Sequence, residues 1–511
     1  MKTATLRKAD IGGAPPPLAD PRLFREQAFI DGAWTDAPIG APDGAPIGAP
    51  GGATIDVTDP ATDALVGTVP ALGAADTERA IAAAARAWPA WRARLAKQRA
   101  AVLRRWAALM TDHREDLAVI MTVEQGKPLA ESRGEIDYAA SFLDWFAEEA
   151  VRMNGDTMPT HLPGRRLLVV REPVGVTAAI TPWNFPSAMI TRKAGAALAA
   201  GCPMIVRPAS ETPYSALALA ELADRAGVPA GVFQVLTGSS RIIGKVLTDS
   251  PVVRKVTFTG STEVGRLLLA QSADTVKKVS MELGGHAPFL VFDDADLDKA
   301  VKEAINAKFQ TTGQDCLAAN RILVQDTVYD AFAARFAAAA RALKVGNGLE
   351  PGVEQGPLMN RAAVDKCRDH VADAVAKGAA VLAGGGRHAL GGLFFEPTVL
   401  GDATPDMAIF REETFGPVAP LVRFRDEAEA IRLANDSIYG LASYVMSRDL
   451  GRVFRVGEAL EYGMVGINTS KITGPPIPFG GVKQSGLGRE GSRHGLDDYT
   501  ELKYLCLGID D

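Results

Sequence analysis

From Val174 onward the chain alternates short β-branched runs with Ala- and Leu-rich segments of helical period. No other feature restricts the fold as much. The runs 176–180, 204–206, 232–235, 253–258 and 279–281 read as strands, and 192–200, 215–226 and 264–271 between them read as helices. Strands separated by helical crossovers return parallel to their neighbours, so this stretch predicts a doubly wound α/β sheet. The same alternation resumes from Ala287 to about Ala442 and predicts a second α/β domain. A chain of 511 residues also exceeds what one core holds. Ahead of this region the pattern is helical after Asp76, with Ile81, Ala85 and Trp88 on one face, then from about 95 to 121 and from 134 to 151.

Two segments fit neither sheet. Residues 165–170 read as one arm of a hairpin and 499–507 as a terminal strand; exposed arms of this kind are templates for pairing between subunits. Residues 37–52 are a near-perfect octapeptide duplication of Ala, Pro, Gly and Ile around one Asp, which cannot bury a core face and reads as a flexible surface insertion. Residues 1–20, with Pro15-Pro16-Pro17, read as a flexible tail.

Composition narrows the function classes. Net charge is −6 and no Lys/Arg stripe is interleaved with aromatics, which gives no support for a nucleic-acid or membrane partner. The first ten residues are broken by charges and lack an apolar core, unlike a secretory signal. Cys202, Cys316, Cys367 and Cys506 are far apart and form no CxxC pair, so the expectation is reduced thiols in the cytoplasm. Six scattered histidines give no metal-binding pattern.

Chemistry concentrates in a few motifs. Cys316 closes Thr312-Gly313-Gln314-Asp315-Cys316, downstream of Glu282-Leu283-Gly284-Gly285. A thiol nucleophile and a carboxylate able to activate water are the equipment for forming and hydrolysing an acyl intermediate. Asn184, in Thr181-Pro182-Trp183-Asn184-Phe185-Pro186, sits where a strand ends and can serve as an amide donor to an oxyanion or as a turn asparagine. Gly260-Ser261-Thr262-Glu263-Val264-Gly265 follows a strand and opens a helix, which suits a phosphate but equally an ordinary capped turn. Gly486-Leu487-Gly488-Arg489-Glu490-Gly491 matches a dinucleotide fingerprint in letters only, because it lies too near the C-terminus to begin a βαβ unit.

Taken together with Glu412-Glu413-Thr414-Phe415-Gly416-Pro417-Val418, these motifs resemble the NAD(P)-dependent aldehyde dehydrogenase superfamily, in order and at its spacing, from about Phe29 to Gly508. Residues 188–193 and 478–492 resemble its succinate-semialdehyde dehydrogenase branch. The resemblance implies that fold: a Rossmann-like cofactor domain (21–151 and 171–284), a catalytic domain (285–478), and oligomerisation arms (152–170 and 492–511) that build a homodimer or homotetramer. It implies Cys316 as nucleophile, Glu282 as base, Asn184 with the Cys316 N–H as oxyanion hole, and Lys193 and Glu490 in proton relay and cofactor placement. Trp183, Gly260, Ser261 and Leu283 would line the cofactor, Glu413 would hold the nicotinamide ribose and Phe415 would lie beside the ring. The implied reaction oxidises an aldehyde, succinate semialdehyde or a related ω-carboxylated one, through a thioester to the acid, and requires no metal.

Three departures from the pattern bear on specificity. Arg207 stands where the family has lysine, and Ser210 where NAD-restricted members have glutamate; without that carboxylate a 2′-phosphate is not repelled, so NADP is expected to be accepted alongside NAD. Arg192 and Thr473 match two groups of the substrate-carboxylate clamp, but its second arginine is Gln310, and an amide does not replace a bidentate guanidinium. That change weakens the clamp or admits a longer or uncharged aldehyde. Ala318 replaces a cysteine that in related enzymes forms a switch disulfide. A cofactor-independent cysteine hydrolase would also use Cys316, Glu282 and Lys193, but would need neither Glu413 nor Phe415.

Overall fold

The computed structural model describes residues 16–36 and 54–509, so the 37–52 insertion and most of the N-terminal tail lie outside the described residues. Two large sheets dominate. The first has eight strands in the order Gly486–Leu487, Lys278–Glu282, Val253–Thr259, Val176–Ile180, Met204–Arg207, Phe233–Val235, Ala28–Ile30, Ala33–Thr35. Its five central strands are parallel, and the outer members pair antiparallel.

Strand alternation decides which side chains meet which helices. Val176, Ala178, Ile205 and Val256 pack with Ala80, Ile81 and Ala84 of helix Ala74–Arg92 and with Ile243 and Leu247 of helix Ser240–Asp249. Ala179, Met204 and Val206 point the other way, into a core shared with helices Ala188–Ala200 and Pro213–Arg225. Both faces are therefore covered, as a parallel sheet requires.

The second sheet has seven strands in the order Ala380–Ala383, Thr398–Gly401, Val418–Phe424, Ala319–Gln325, Ala287–Val291, Ala442–Met446, Met464–Ile467. All of its pairings are parallel except the first. Phe289, Ile322 and Val324 face one core, Leu290, Leu323 and Val422 the other. The two segments that fit neither sheet form a third one. Thr500–Gly508 pairs antiparallel along Arg165–Pro173, which pairs in turn with Asp156–Met158.

One expectation needs correction. The helical stretch expected from about 95 to 121 is two helices, Ala96–Asp112 and Arg114–Gln125, broken at His113. His113 ends one helix and begins the next with backbone angles outside the helical range, a bend that the continuous apolar period conceals.

The letters 486–491, which cannot begin a βαβ unit, have a different use. Gly486 and Leu487 pair with Glu282 and Met281, so this segment is an edge strand holding the end of Lys278–Glu282. Among the described residues no helix is long and apolar enough to cross a membrane.

Candidate active site

Three motifs distant in sequence converge on Cys316, and two glycines show how tightly. A Cβ on Gly285 would lie 2.0 Å from the Cys316 carbonyl oxygen, and one on Gly313 would lie 2.3 Å from the Gly416 carbonyl oxygen. Neither position admits a side chain. The segment that begins at Glu282 and the one that carries Phe415 are thus both pressed against the cysteine loop.

That loop is strained. Thr311 and Thr312 have φ of 50° and 58°, in the left-handed region that β-branched residues avoid. Glu131, on helix Leu129–Ala150, stabilises the turn: its carboxylate accepts from the Thr311 N–H (3.0 Å) and Thr311 Oγ1 (3.2 Å). Burial pushes the Glu131 carboxyl up to about 7.

Cys316 is half-buried, and burial together with neighbouring Asp315 raises its thiol well above the usual value, while Arg192 pulls it back. At neutral pH the thiol is protonated, so it must lose its proton on demand to react. Glu282 ends the strand Lys278–Glu282 and is 2% exposed. Neither of its carboxylate oxygens has a hydrogen-bond partner among the described residues. Burial, and then repulsion from Glu490, hold its carboxyl well above the ordinary range. A buried carboxyl with both oxygens unspent is a base kept for a water or a thiol that enters later.

Asn184 is held from both ends. Its side-chain Nδ2 donates to the Gln314 carbonyl (3.0 Å), two residues before Cys316. Its backbone carbonyl accepts from Lys127 Nζ (2.6 Å). Lys127 is itself ion-paired with buried Glu135, whose other oxygen caps the Ser187 and Ala188 N–H groups at the start of helix Ala188–Ala200. One amide hydrogen of Asn184 remains for an oxyanion.

Arg192 and Lys193, on that same helix, share Glu490: Arg192 Nε donates to one oxygen at 2.6 Å and Lys193 Nζ to the other. Lys193 also donates to Thr259 Oγ1 (2.6 Å). Burial lowers the lysine below its usual value. The carboxylate of Glu490 therefore bridges two buried cations and is held low, burial opposing and Lys193 and Arg192 favouring its charge.

Around the carboxyl ends of the first sheet lie the remaining expected residues. Ser261 caps helix Thr262–Ala273 by accepting from the Val264 N–H, and Gly260 N–H bonds the Glu282 carbonyl (3.1 Å). Leu283 packs against Gly265. Glu413 accepts from the Gly285 N–H (3.0 Å), and the Phe415 ring meets Trp183 edge-on with centroids 5.5 Å apart. Farther along, Arg207 donates to Ser210 Oγ (2.7 Å) and to the Gly238 carbonyl (2.8 Å), with burial lowering its guanidinium to about 10.

A cavity of about 670 Å³ opens onto Cys316. Arg192, Gln310 and Thr473 line it, whereas Asn184, Glu282 and the Arg207–Ser210 pair do not. Its walls also contain Tyr138, Glu131 and Lys471, which sequence motifs did not single out. For two of them a signal existed. Glu131, Glu135 and Tyr138 recur at helical spacing, and polar residues on one face of a helix otherwise rich in buried apolar residues mark a site. Lys471 lies in a loop without periodicity and gave none.

The residues fit a dinucleotide. The N–H groups of Thr262 and Glu263 take no hydrogen bond among the described residues, and exposed Val264 and Leu267 offer apolar surface beside them for a planar base.

Comparisons with known proteins agree. Residues 48–505 match the model of the aldehyde dehydrogenase family. A Pseudomonas aeruginosa protein named glutarate-semialdehyde dehydrogenase is 61% identical over 491 residues, covering 96% of this chain and 99% of that one. An Escherichia coli protein named succinate-semialdehyde dehydrogenase (NADP+) is 59% identical, covering 96% of this chain and 100% of that one. The crystal structure of succinate-semialdehyde dehydrogenase from Burkholderia pseudomallei superposes with a TM-score of 0.94 at 59% identity, covering 97% of this chain and 100% of that one.

Proposed function

The chain belongs to the aldehyde dehydrogenase family, and on that premise we propose that Cys316 forms the covalent intermediate and Glu282 hydrolyses it. The chain oxidises an ω-carboxylated semialdehyde, in the class of succinate and glutarate semialdehyde, to the acid with reduction of NAD(P). The observation that carries the assignment of roles is the pairing of a loop cysteine with a buried carboxyl whose two oxygens are unspent, pressed together through Gly285.

Cys316 Sγ attacks the aldehyde carbon as its proton is removed. The oxygen that becomes an alkoxide is met by Asn184 Nδ2 and the Cys316 N–H, and one such donor is worth ~2.7–4 kcal/mol of barrier. When bound, NAD(P) would supply the acceptor for the hydride that the aldehyde carbon loses, and the adduct on Cys316 Sγ thereby becomes a thioester. Trp183, Leu283, Glu413 and Phe415 would orient the cofactor, and the N–H groups at Thr262 and Glu263 would receive its phosphates. Glu282 then takes a proton from water, which attacks the thioester carbonyl; the acid leaves and Sγ returns as thiolate. Lys193 and Glu490 hold the proton path beside Glu282 and fix the helix that carries Arg192. Arg207 and Ser210 would meet the adenosine ribose, and an uncharged Ser210 would not repel a 2′-phosphate, in keeping with the use of NADP as well as NAD.

The exposed strand Thr500–Gly508 and its partner Arg165–Pro173 form the arm through which the chain assembles as a homodimer or dimer of dimers. Work in a reducing compartment, the cytoplasm, fits four unpaired cysteines.

The test follows reduced nicotinamide by absorbance with succinate semialdehyde, glutarate semialdehyde and pentanal, each with NADP and with NAD. The expected result is cofactor-dependent oxidation that favours the two ω-carboxylated substrates. No cofactor reduction with any of the three aldehydes, together with cofactor-independent hydrolysis of an ester or amide, would overturn the reading in favour of a hydrolase.

A further inference from the structure

Resting on the reading of an ω-carboxylated substrate, we propose that Lys471 is a specificity-determining residue that receives the substrate's distal anion, in the place where Gln310 supplies no charge. The charged groups around the cavity carry the argument. Lys127 is spent on Glu135 and the Asn184 carbonyl. Arg192 shares Glu490 with Lys193. Glu131 is spent on Thr311, Asp315 accepts from the Leu317 N–H and Glu354 from the Lys344 N–H. Lys471 alone among the charged lining residues keeps its Nζ without a hydrogen bond or ion pair among the described residues. A cation without a partner, on a wall whose other charged groups already have hydrogen-bond partners, is the group left to receive a carboxylate entering from water.

The loop holds that cation in place. The N–H and Oγ of Ser470 both donate to Glu303 (2.7 and 2.6 Å), on the helix Leu297–Phe309 that runs directly into Gln310. The Lys471 N–H donates to Thr469 Oγ1 and the Ile472 N–H to the Ser470 carbonyl. Lys471 and Gln310 are therefore tied to one frame on the rim of one cavity, with Thr473 two residues on and Arg192 in the same lining. A guanidinium would fix one geometry. An ammonium on a four-carbon stem is a mobile point charge that accepts anions of differing shape and reach. The substrate class that fits is an aldehyde with an anionic group at its far end and some latitude in chain length.

The experiment compares wild type, Lys471→Met and Lys471→Arg by kcat/KM for glutarate semialdehyde and for pentanal, an uncharged aldehyde of equal chain length, at low and high salt. In Lys471→Met the ratio of the two values should fall about five- to tenfold, mainly through KM for the semialdehyde, as expected for one solvent-facing charge contact. Lys471→Arg should restore most of the ratio, and salt should lower it in wild type more than in Lys471→Met. A wild-type preference for the semialdehyde that survives intact in Lys471→Met would overturn the role of Lys471 and leave the substrate class standing. No wild-type preference for the semialdehyde would remove both.

Discussion

At the scale of single residues, the site separates two jobs that one group could not do together. A thiol held high by burial is a poor resting nucleophile, but it does not react before substrate arrives. Glu282, also held high by burial and by repulsion from Glu490, is a stronger base than an ordinary carboxylate because its conjugate acid is weak. Its sign fixes a pH dependence. The carboxyl must be ionised to take a proton from water, and it ionises only above its raised value, so hydrolysis should quicken as pH rises through that value. Glu282→Gln should keep a pre-steady-state burst of reduced cofactor while steady turnover falls by at least about a hundredfold and loses that pH limb. Stopped-flow traces across pH check both points, and loss of the burst itself would move Glu282 to the acylation step. A second residue-scale prediction concerns the cofactor. Ser210 accepts from Arg207, so a carboxylate placed there would sit against any 2′-phosphate. Ser210→Glu should lower kcat/KM for NADP by about tenfold or more and leave NAD the preferred cofactor; an unaltered NADP/NAD ratio would show that the ribose lies elsewhere.

At the scale of elements, helix Leu129–Ala150 deserves more weight than its sequence invited. Its Glu131 is the hydrogen-bond partner of the left-handed Thr311 turn, and its Glu135 caps the helix that carries Arg192 and Lys193. Glu131→Ala should therefore act on the nucleophile without touching substrate chemistry. The expected outcome is about 1–3 kcal/mol less stability by denaturant unfolding and a slower burst, with Glu131→Gln recovering part of both. A burst unchanged in Glu131→Ala would mean that Gly313 and Gly416 fix the loop unaided. The contrast with the motif residues explains what the sequence could and could not tell. Cys316, Asn184 and Phe415 sit in short loops beside strand ends and Glu282 is the last residue of a strand, places where chemistry restricts several neighbouring letters at once. Glu131, Tyr138 and Lys471 reach the same cavity from a helix face and a loop whose neighbours are free to vary, and only the packing of chain segments far apart in sequence joins them. The sheet strands were legible because burial on both faces demands continuous β-branched runs. The break at His113 was not, because two helices with a common apolar face keep one period across the bend.

At the scale of the whole molecule, the arm is the element the chain does not cover by itself. Among the described residues, strand Thr500–Gly508 pairs along one edge only, with Arg165–Pro173. Leu502 and Tyr504 are exposed on one of its faces and Leu505 and Leu507 on the other. A strand exposed on both faces and open at one edge buries too little apolar surface to hold its own order, so a second copy is the economical cover. The arm also begins at the foot of the strand that carries Glu282. Lys278 Nζ donates to the Thr500 carbonyl (2.7 Å), and Lys278 opens the five-residue strand that ends at Glu282, about 13 Å away at ~3.3 Å per residue. Assembly and the position of the base should consequently be linked. Leu502→Lys with Tyr504→Lys places two charges on one face of the arm. By light scattering this variant should run at lower mass than wild type, and its steady turnover should fall more than its burst, because the perturbed strand carries the proposed hydrolytic base and not the proposed nucleophile. Unchanged mass would show that the arm is not the interface. Reduced mass with burst and turnover falling equally would show that the arm supports the fold as a whole and is not coupled to Glu282 in particular.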